Sequence, residues 1–246
     1  MSYSSILCWY MKKTVAFIIP AYNEGSVIGS VLTELINKLK KQNDFKFKII
    51  VVNDGSSDDT EEQLSKFKDI YQINHILNSG AGAATRTALS QAKKMKVDAA
   101  VSLDADGQHL PDDAIKVANE TLKGKYDLVI GSRLSDNEGM LWYRKLGNLG
   151  LSFFTFLLFG STVIDSQSGL RGYGVKAINN ISFHSNNFTF NSELMWRAKQ
   201  QKLSIKEIPI SAIYTDYSLA KGQSNWNAIP IFRQLIKRRL LEFFDE

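Results

Sequence analysis

Two carboxylates, Asp104 and Asp106, stand one residue apart where the apolar run ending at Leu103 meets the loop Ala105-Asp-Gly-Gln-His109. On an extended backbone alternate side chains share a side, so the pair can face one ligand together. Oxygen donors of this kind suit a hard divalent cation that keeps waters and substrate phosphates in its shell. A strand ending in Asp-x-Asp is therefore a place to hold a metal–diphosphate group. The same residues also read as a strand-end turn followed by helix capping at Asp112. In a chain with 25 acidic residues the pair alone does not choose between the two readings.

Other polar turns follow apolar runs in the same way. Pro20-Ala-Tyr-Asn-Glu24 follows Val15–Ile19, and offers Tyr22 to pack on a base and Glu24 to hydrogen-bond a sugar or base. Asn53-Asp-Gly-Ser-Ser57 follows Phe47–Val52, and Asp54 there could accept from a base N–H or a ribose hydroxyl. Ser56 to Asp59 read as turn and capping chemistry. Asn78-Ser-Gly-Ala-Gly82 enters a helix; its glycines permit close backbone approach, and a helix N-terminus favours phosphate or an acidic group. It lacks the Gly-Lys-Ser/Thr ending of a Walker loop, and its glycine spacing is not that of the dinucleotide fingerprint.

These loops need a scaffold, and the hydrophobic pattern supplies one. Strands are expected at Val15–Ile19, Phe47–Val52, Ile73–Leu77, Ala99–Leu103 and Tyr126–Ile130. Helices are expected from Ser26, with Val27, Val31, Leu35 and Leu39 as its apolar stripe, and over Asp58–Phe67, Ala81–Met95 and Asp112–Leu122. The repeated β-α order predicts an α/β fold with a mostly parallel central sheet and helices on both faces. In such sheets ligands gather beyond the carboxyl ends of the strands, where these loops lie.

At 246 residues the chain can bury a full single-domain core, and its composition is that of a globular protein. A net charge of +5 and a pI near 9.1 favour anionic ligands without naming one. Dispersed charge and the absence of a recognised motif argue against a nucleic-acid binder. The single cysteine, Cys8, excludes an intramolecular disulfide and fits a reducing, cytoplasmic setting. Residues 1–13 are set apart as an N-terminal extension. Within it, Ser4–Tyr10 is apolar but lacks the features of a signal peptide, and Met11 reads like a start that runs into the first strand. Residues 1–10 are expected to have no catalytic role.

Pro20-Ala-Tyr-Asn-Glu24, Val52-Asn-Asp-Gly-Ser-Ser57, Asn78-Ser-Gly-Ala-Gly82, Leu103-Asp-Ala-Asp-Gly-Gln-His109 and Gly131-Ser-Arg133 occur in that order. Together they resemble glycosyltransferase family two, with its single-domain, nucleotide-sugar-binding glycosyltransferase A-type fold. Arg144-Lys-Leu-Gly-Asn148, Asp165-Ser-Gln-Ser-Gly-Leu-Arg-Gly-Tyr173 and Glu193 look like the polyprenyl-phosphate branch, of the dolichol-phosphate mannosyltransferase type. The likeness covers roughly Val15 to Trp226.

The resemblance implies roles. Pro20, Tyr22, Glu24 and Asp54 would hold the donor's nucleoside, with Gly82 and Ala105 also on the donor side. Asp104 and Asp106 would bind Mg²⁺ or Mn²⁺ with the donor diphosphate, and Gln108 would be a further metal ligand. Arg133 and Arg144 would meet the lipid phosphate, a task to which a planar, permanently charged guanidinium is suited; a surface ion pair is the alternative for each. Lys221 replaces an arginine of several relatives and could still neutralise the diphosphate. Asp165 and Glu193 would orient the sugar or the arginines, or pair structurally. Asn53 stands where many relatives carry a second Asp, which leaves the preferred base undecided.

The implied activity is inverting transfer of a hexose, mannose or glucose, from a nucleotide-sugar to a polyprenyl or dolichyl phosphate. A family-two enzyme acting on a sugar hydroxyl, and a nucleotide-sugar-binding regulator without turnover, are the alternatives. The catalytic domain is expected over residues 14–225. Leu149–Ile164 is apolar but interrupted, so it reads as an interfacial helix or a buried core helix. Residues 226–246 combine Trp226, Ile229, Phe232, Ile236, Leu240 and Phe243 with Arg233, Lys237, Arg238 and Arg239, the pattern of a basic amphipathic helix that lies on anionic lipid. The protein is expected on the cytoplasmic face of a membrane, peripherally bound or relying on a membrane-embedded partner.

Overall fold

The computed structural model describes residues 12–133, 149–150, 153, 156, 163–187 and 189–211. The extension up to Met11, Arg144, Lys221, the 226–246 helix and most of the 149–164 stretch lie outside the described residues.

The first strand, β1 (Thr14–Ala21), pairs in parallel with β2 (Lys46–Asn53), and their central runs Val15–Ile19 and Ile49–Val52 are apolar because both faces of the sheet are covered there. Pro20 does not end β1. Leu103 N–H donates to the Ile18 carbonyl, so Pro20, two residues on, faces the same neighbour after that neighbour's strand has finished. Its missing N–H therefore leaves no gap in the ladder. Beyond β2 lies a short edge strand, β3 (Tyr71–Asn74), and on the other side of β1 lies β4 (Ala99–Ser102).

The helix α1 (Gly25–Lys41) buries Ile28, Leu32, Leu35 and Leu39. The expected stripe is thus rotated: Val27 and Val31 are only half buried, since a 3.6-residue turn favours spacings that alternate three and four. The helices α2 (Thr60–Ser65), α3 (Ala81–Lys94) and α4 (Pro111–Leu122) follow, with Pro111 in the first turn of α4, where its missing N–H is harmless. After β5 (Leu128–Ser132) come β6 (Arg171–Gly174), α5 (Val175–Asn180), α6 (Phe190–Gln200) and β7 (Ile205–Pro209). One apolar cluster joins α1 and α4 to one face of the sheet, and a second joins α3, α5 and α6 to the other.

The seven-stranded sheet runs β3-β2-β1-β4-β6-β5-β7, with β6 antiparallel to both neighbours and the remaining pairs parallel. The order reverses direction between β1 and β4. A crevice opens there at the carboxyl ends of the strands. Gly172 in β6 has no Cβ because Thr121 and Val117 of α4 already fill that place, which lets the helix sit close on the sheet.

Candidate active site

Both carboxylates of the Asp-x-Asp loop flank the switch crevice. β4 ends at Ser102, so the loop's own turn, and not strand alternation, brings the two groups together. Gly107, at φ 78°, supplies the left-handed residue of that turn. Asp104 Oδ2 lies 3.0 Å from His109 Nε2. Asp106 accepts from the Gln108 backbone N–H at 3.0 Å and from Gln108 Nε2 at 2.6 Å. Here the Gln108 side chain serves Asp106 as a donor.

The two acids differ in their proton affinity. Burial works to raise Asp104, but the hydrogen bond and charge of His109, with the charges of Arg133 and Arg171, outweigh it and hold the group below the ordinary range. Asp106 is pushed up to about 6, by burial first and then by the negative charge of Asp104, with Glu24 adding to it. Asp106 is thus left repelled by its acidic neighbours, and the hard oxygen donors of the pair fit a divalent cation. Among the described residues no group of three or more His, Cys, Asp or Glu is arranged to hold a metal. A cation here would complete its shell with Gln108, water or substrate oxygens.

The loops after β1 and β2 are laced to each other. Asn23, at φ 53°, donates its N–H to Ser56 Oγ and accepts from Ser57 N–H, while the Glu24 N–H donates to Thr60 Oγ1. Asp58 accepts from the Gly25 N–H at the start of α1 and from the Thr60 N–H at the start of α2, each at 3.0 Å, so one carboxylate serves both helix starts. This lattice holds Tyr22 partly exposed and Glu24 buried, with Glu24 near enough to Asp106 to act on its charge.

Asp54 is buried at the end of β2, and its carboxylate is taken up by the chain itself. It accepts from Ser79 N–H at 3.0 Å and Gly80 N–H at 2.7 Å, and lies 2.6 Å from His75 Nδ1. His75 Nε2 lies 3.0 Å from Thr87 Oγ1 on α3. Asp54 thus takes up the backbone N–H groups of the turn that leads into α3. Gly82, expected on the donor side, donates its N–H to the Asn186 carbonyl, and the Ser185 carbonyl occupies the place a Cβ would take. Glu193 holds that covering segment by accepting from the His184 and Ser185 N–H groups.

Arg133 follows β5 at the same edge of the sheet. It grips Asp165 through Nε–Oδ2 and Nη2–Oδ1, each 3.0 Å, and its backbone N–H also donates to Oδ2. The Glu207 carboxylate in turn accepts from the Ile164 and Asp165 N–H groups, tying the segment to β7. Burial opposes ionisation of Asp165, but the Arg133 charge and hydrogen bonds hold its carboxyl below the usual range. Behind the loop, Arg171 is wholly buried; it donates to Asn191 Oδ1 and the Ser166 carbonyl and lies over Phe190. Sequence reasoning assigned no role to His75, His109, Gly169 or Arg171. The last three lie inside quoted motifs, which was their only signal.

Residues 16–182 match the glycosyl transferase family 2 domain. With that match spanning more than half of the chain, the protein belongs to glycosyl transferase family 2. A UDP-N-acetylglucosamine–dolichyl-phosphate N-acetylglucosaminyltransferase of Methanococcus voltae is 37% identical over 254 residues, covering 95% of this chain and 99% of that protein. A dolichyl-phosphate beta-glucosyltransferase of Trichomonas vaginalis is 30% identical over 214 residues, covering 80% of this chain and 64% of that protein. The solved glucosyl-3-phosphoglycerate synthase of Mycobacterium tuberculosis, in complex with Mn²⁺, UDP and glucosyl-3-phosphoglycerate, shares the fold with a TM-score of 0.69 at 17% identity, covering 94% of this chain and 79% of that one. The glycosyltransferase A-type architecture expected from the sequence is borne out.

Proposed function

We propose that the protein transfers one sugar from a nucleotide-sugar to a polyprenyl phosphate, with UDP-N-acetylglucosamine as donor and a dolichyl-type lipid as acceptor. The observation that carries the reaction is the Asp104–Asp106 pair at the sheet's switch point, with Arg133 at the same edge. The choice of sugar and lipid is supported by the Methanococcus voltae relative, whose likeness runs over nearly the whole of both chains. It replaces the mannose or glucose expected from sequence.

Asp104 and Asp106, with Gln108 beside them, would hold Mg²⁺ or Mn²⁺ together with the donor diphosphate. The bound cation would supply positive charge against the charge that develops on the departing diphosphate. Tyr22 and Glu24, with Pro20 and Ala105, would frame the donor, while Asp54 fixes the β3–α3 turn beside it. Arg133, with Arg144, would bring the lipid phosphate to the anomeric carbon, and Asp165 would keep the Arg133 fork in place. A phosphate-monoester oxygen is already anionic near neutral pH, so no strong base is needed. That oxygen forms the new bond to the anomeric carbon as the bond to the donor's diphosphate oxygen breaks, giving inversion and free nucleoside diphosphate. Alignment and electrostatic stabilisation do the catalysis, with Lys221 as a further cation for the diphosphate.

No helix among the described residues is long and apolar enough to cross a membrane. A lipid acceptor nonetheless places the reaction at a membrane surface, on its cytoplasmic side, reached peripherally or through an embedded partner. The test is incubation of the full chain and Mn²⁺ with a short polyprenyl phosphate and, in turn, UDP-N-acetylglucosamine, UDP-glucose and GDP-mannose, read by mass spectrometry of the lipid. The N-acetylhexosamine phosphate lipid should dominate. Transfer from none of the three donors, or preferred transfer of mannose, contradicts the reading.

A further inference from the structure

Two residues outside the expected site close on Asp104, and they come from different parts of the chain. The first is His109, whose imidazole is almost wholly buried and meets Asp104 Oδ2 at 3.0 Å through Nε2. An ionised carboxylate only accepts, so Nε2 carries the hydrogen. The other ring nitrogen, Nδ1, is buried without a hydrogen-bond partner, so no second bond explains the ring's orientation. The second is Gly169, in the turn that leads into β6. A Cβ on Gly169 would overlap both oxygens and the carboxyl carbon of Asp104. Gly169 is itself pinned, because Ser102 Oγ donates to its carbonyl at 2.7 Å. Among the described residues Asp106 is instead held by Gln108, two residues along the same loop, through its backbone N–H and its Nε2.

We infer that His109 and Gly169 are positioning residues for the metal–diphosphate site: His109 fixes the rotamer of Asp104 by donating to Oδ2, and Gly169 leaves the space that this rotamer occupies. The inference rests on the proposed function, since it needs Asp104 to face a cation. Outer contacts of this kind orient a ligand before the ion arrives, and their loss weakens metal binding by about 10–100-fold. A merely structural histidine or glycine would change stability and leave the affinity of the folded protein alone.

The experiment measures free Mn²⁺ by electron paramagnetic resonance during titration of the full chain with and without UDP, alongside thermal unfolding. His109→Leu, which keeps the bulk and loses the donor, should raise the Mn²⁺ Kd about 10-fold or more. His109→Gln, which retains a side-chain N–H, should recover part of that loss. Gly169→Ala should also raise the Mn²⁺ Kd. Leu39→Ala, at the far end of α1, should lower the unfolding temperature and leave the Kd unchanged. Folded His109→Leu and Gly169→Ala proteins that bind Mn²⁺ within twofold of the wild type would overturn the inference. If His109→Leu does not fold, Gly169→Ala decides by the same reading. A wild-type chain that binds no Mn²⁺ even with UDP would instead overturn the proposed metal–diphosphate site itself.

Discussion

Asp106 and Asp165 have the same side chain and opposite proton affinities, and each difference has a local cause. Asp106 is raised to about 6 by burial and the charge of Asp104, so a cation placed between them relieves a repulsion already present. Asp106→Asn should leave the circular dichroism spectrum unchanged and lower transfer by about 100-fold or more, since it removes charge stabilisation from the departing diphosphate. Asp165 is lowered because Arg133 overcomes its burial. A depressed folded pKa stabilises the protein fully above the unfolded value, about 3.9, and that contribution is lost as pH falls through the folded value. Urea midpoints of wild type and Asp165→Asn should therefore be well separated at pH 5 and converge as the pH is taken below 3.9. Because Arg133 and Asp165 are both largely buried, Arg133→Ala leaves a buried carboxylate without its guanidinium and should cost about 3–5 kcal/mol in urea unfolding. Arg133→Met with Asp165→Asn should recover part of that loss. A fall in transfer for Arg133→Ala alone therefore mixes stability with phosphate binding, and the double variant separates them.

Elements fix where such residues meet, and they were unequally legible. β1 and β2 could be read because strands buried on both faces are continuous apolar runs. β6 could not: Arg171-Gly-Tyr-Gly174 has two glycines and an arginine, a composition that argues against a strand. Its place is set by packing, since α4 can approach the sheet only where Gly172 has no side chain. Gly172→Ala should accordingly destabilise the fold by about 1–3 kcal/mol, the usual cost of overpacking, measured by the urea midpoint. The Asp-x-Asp motif was readable as a pattern of residues close in sequence. Its cradle was not, because Gly169 is brought to Asp104 by the antiparallel pairing of β6 with β4, a contact across more than sixty positions. The same holds for Asp54, whose partners Ser79 and Gly80 lie beyond the next strand.

At the scale of the whole molecule, the reversal of strand order between β1 and β4 gathers the loops of four strands at one edge. Asp104 and Asp106 lie there with Glu24, and Arg133 lies close enough to lower the Asp104 carboxyl. Two carboxylates and a guanidinium thus lie at one edge of the sheet. That arrangement suits a donor diphosphate on one side and an acceptor phosphate on the other. The proposed reaction needs a phosphate acceptor, because no side chain in it acts as base. The most direct measurement offers UDP-N-acetylglucosamine and Mn²⁺ to the full chain with a short polyprenyl monophosphate or with the matching polyprenol, and follows the lipid by mass spectrometry. The N-acetylhexosamine adduct should form on the monophosphate alone and be lost when the divalent cation is chelated. Equal transfer to the polyprenol, or undiminished transfer in excess chelator, would contradict the proposed reaction.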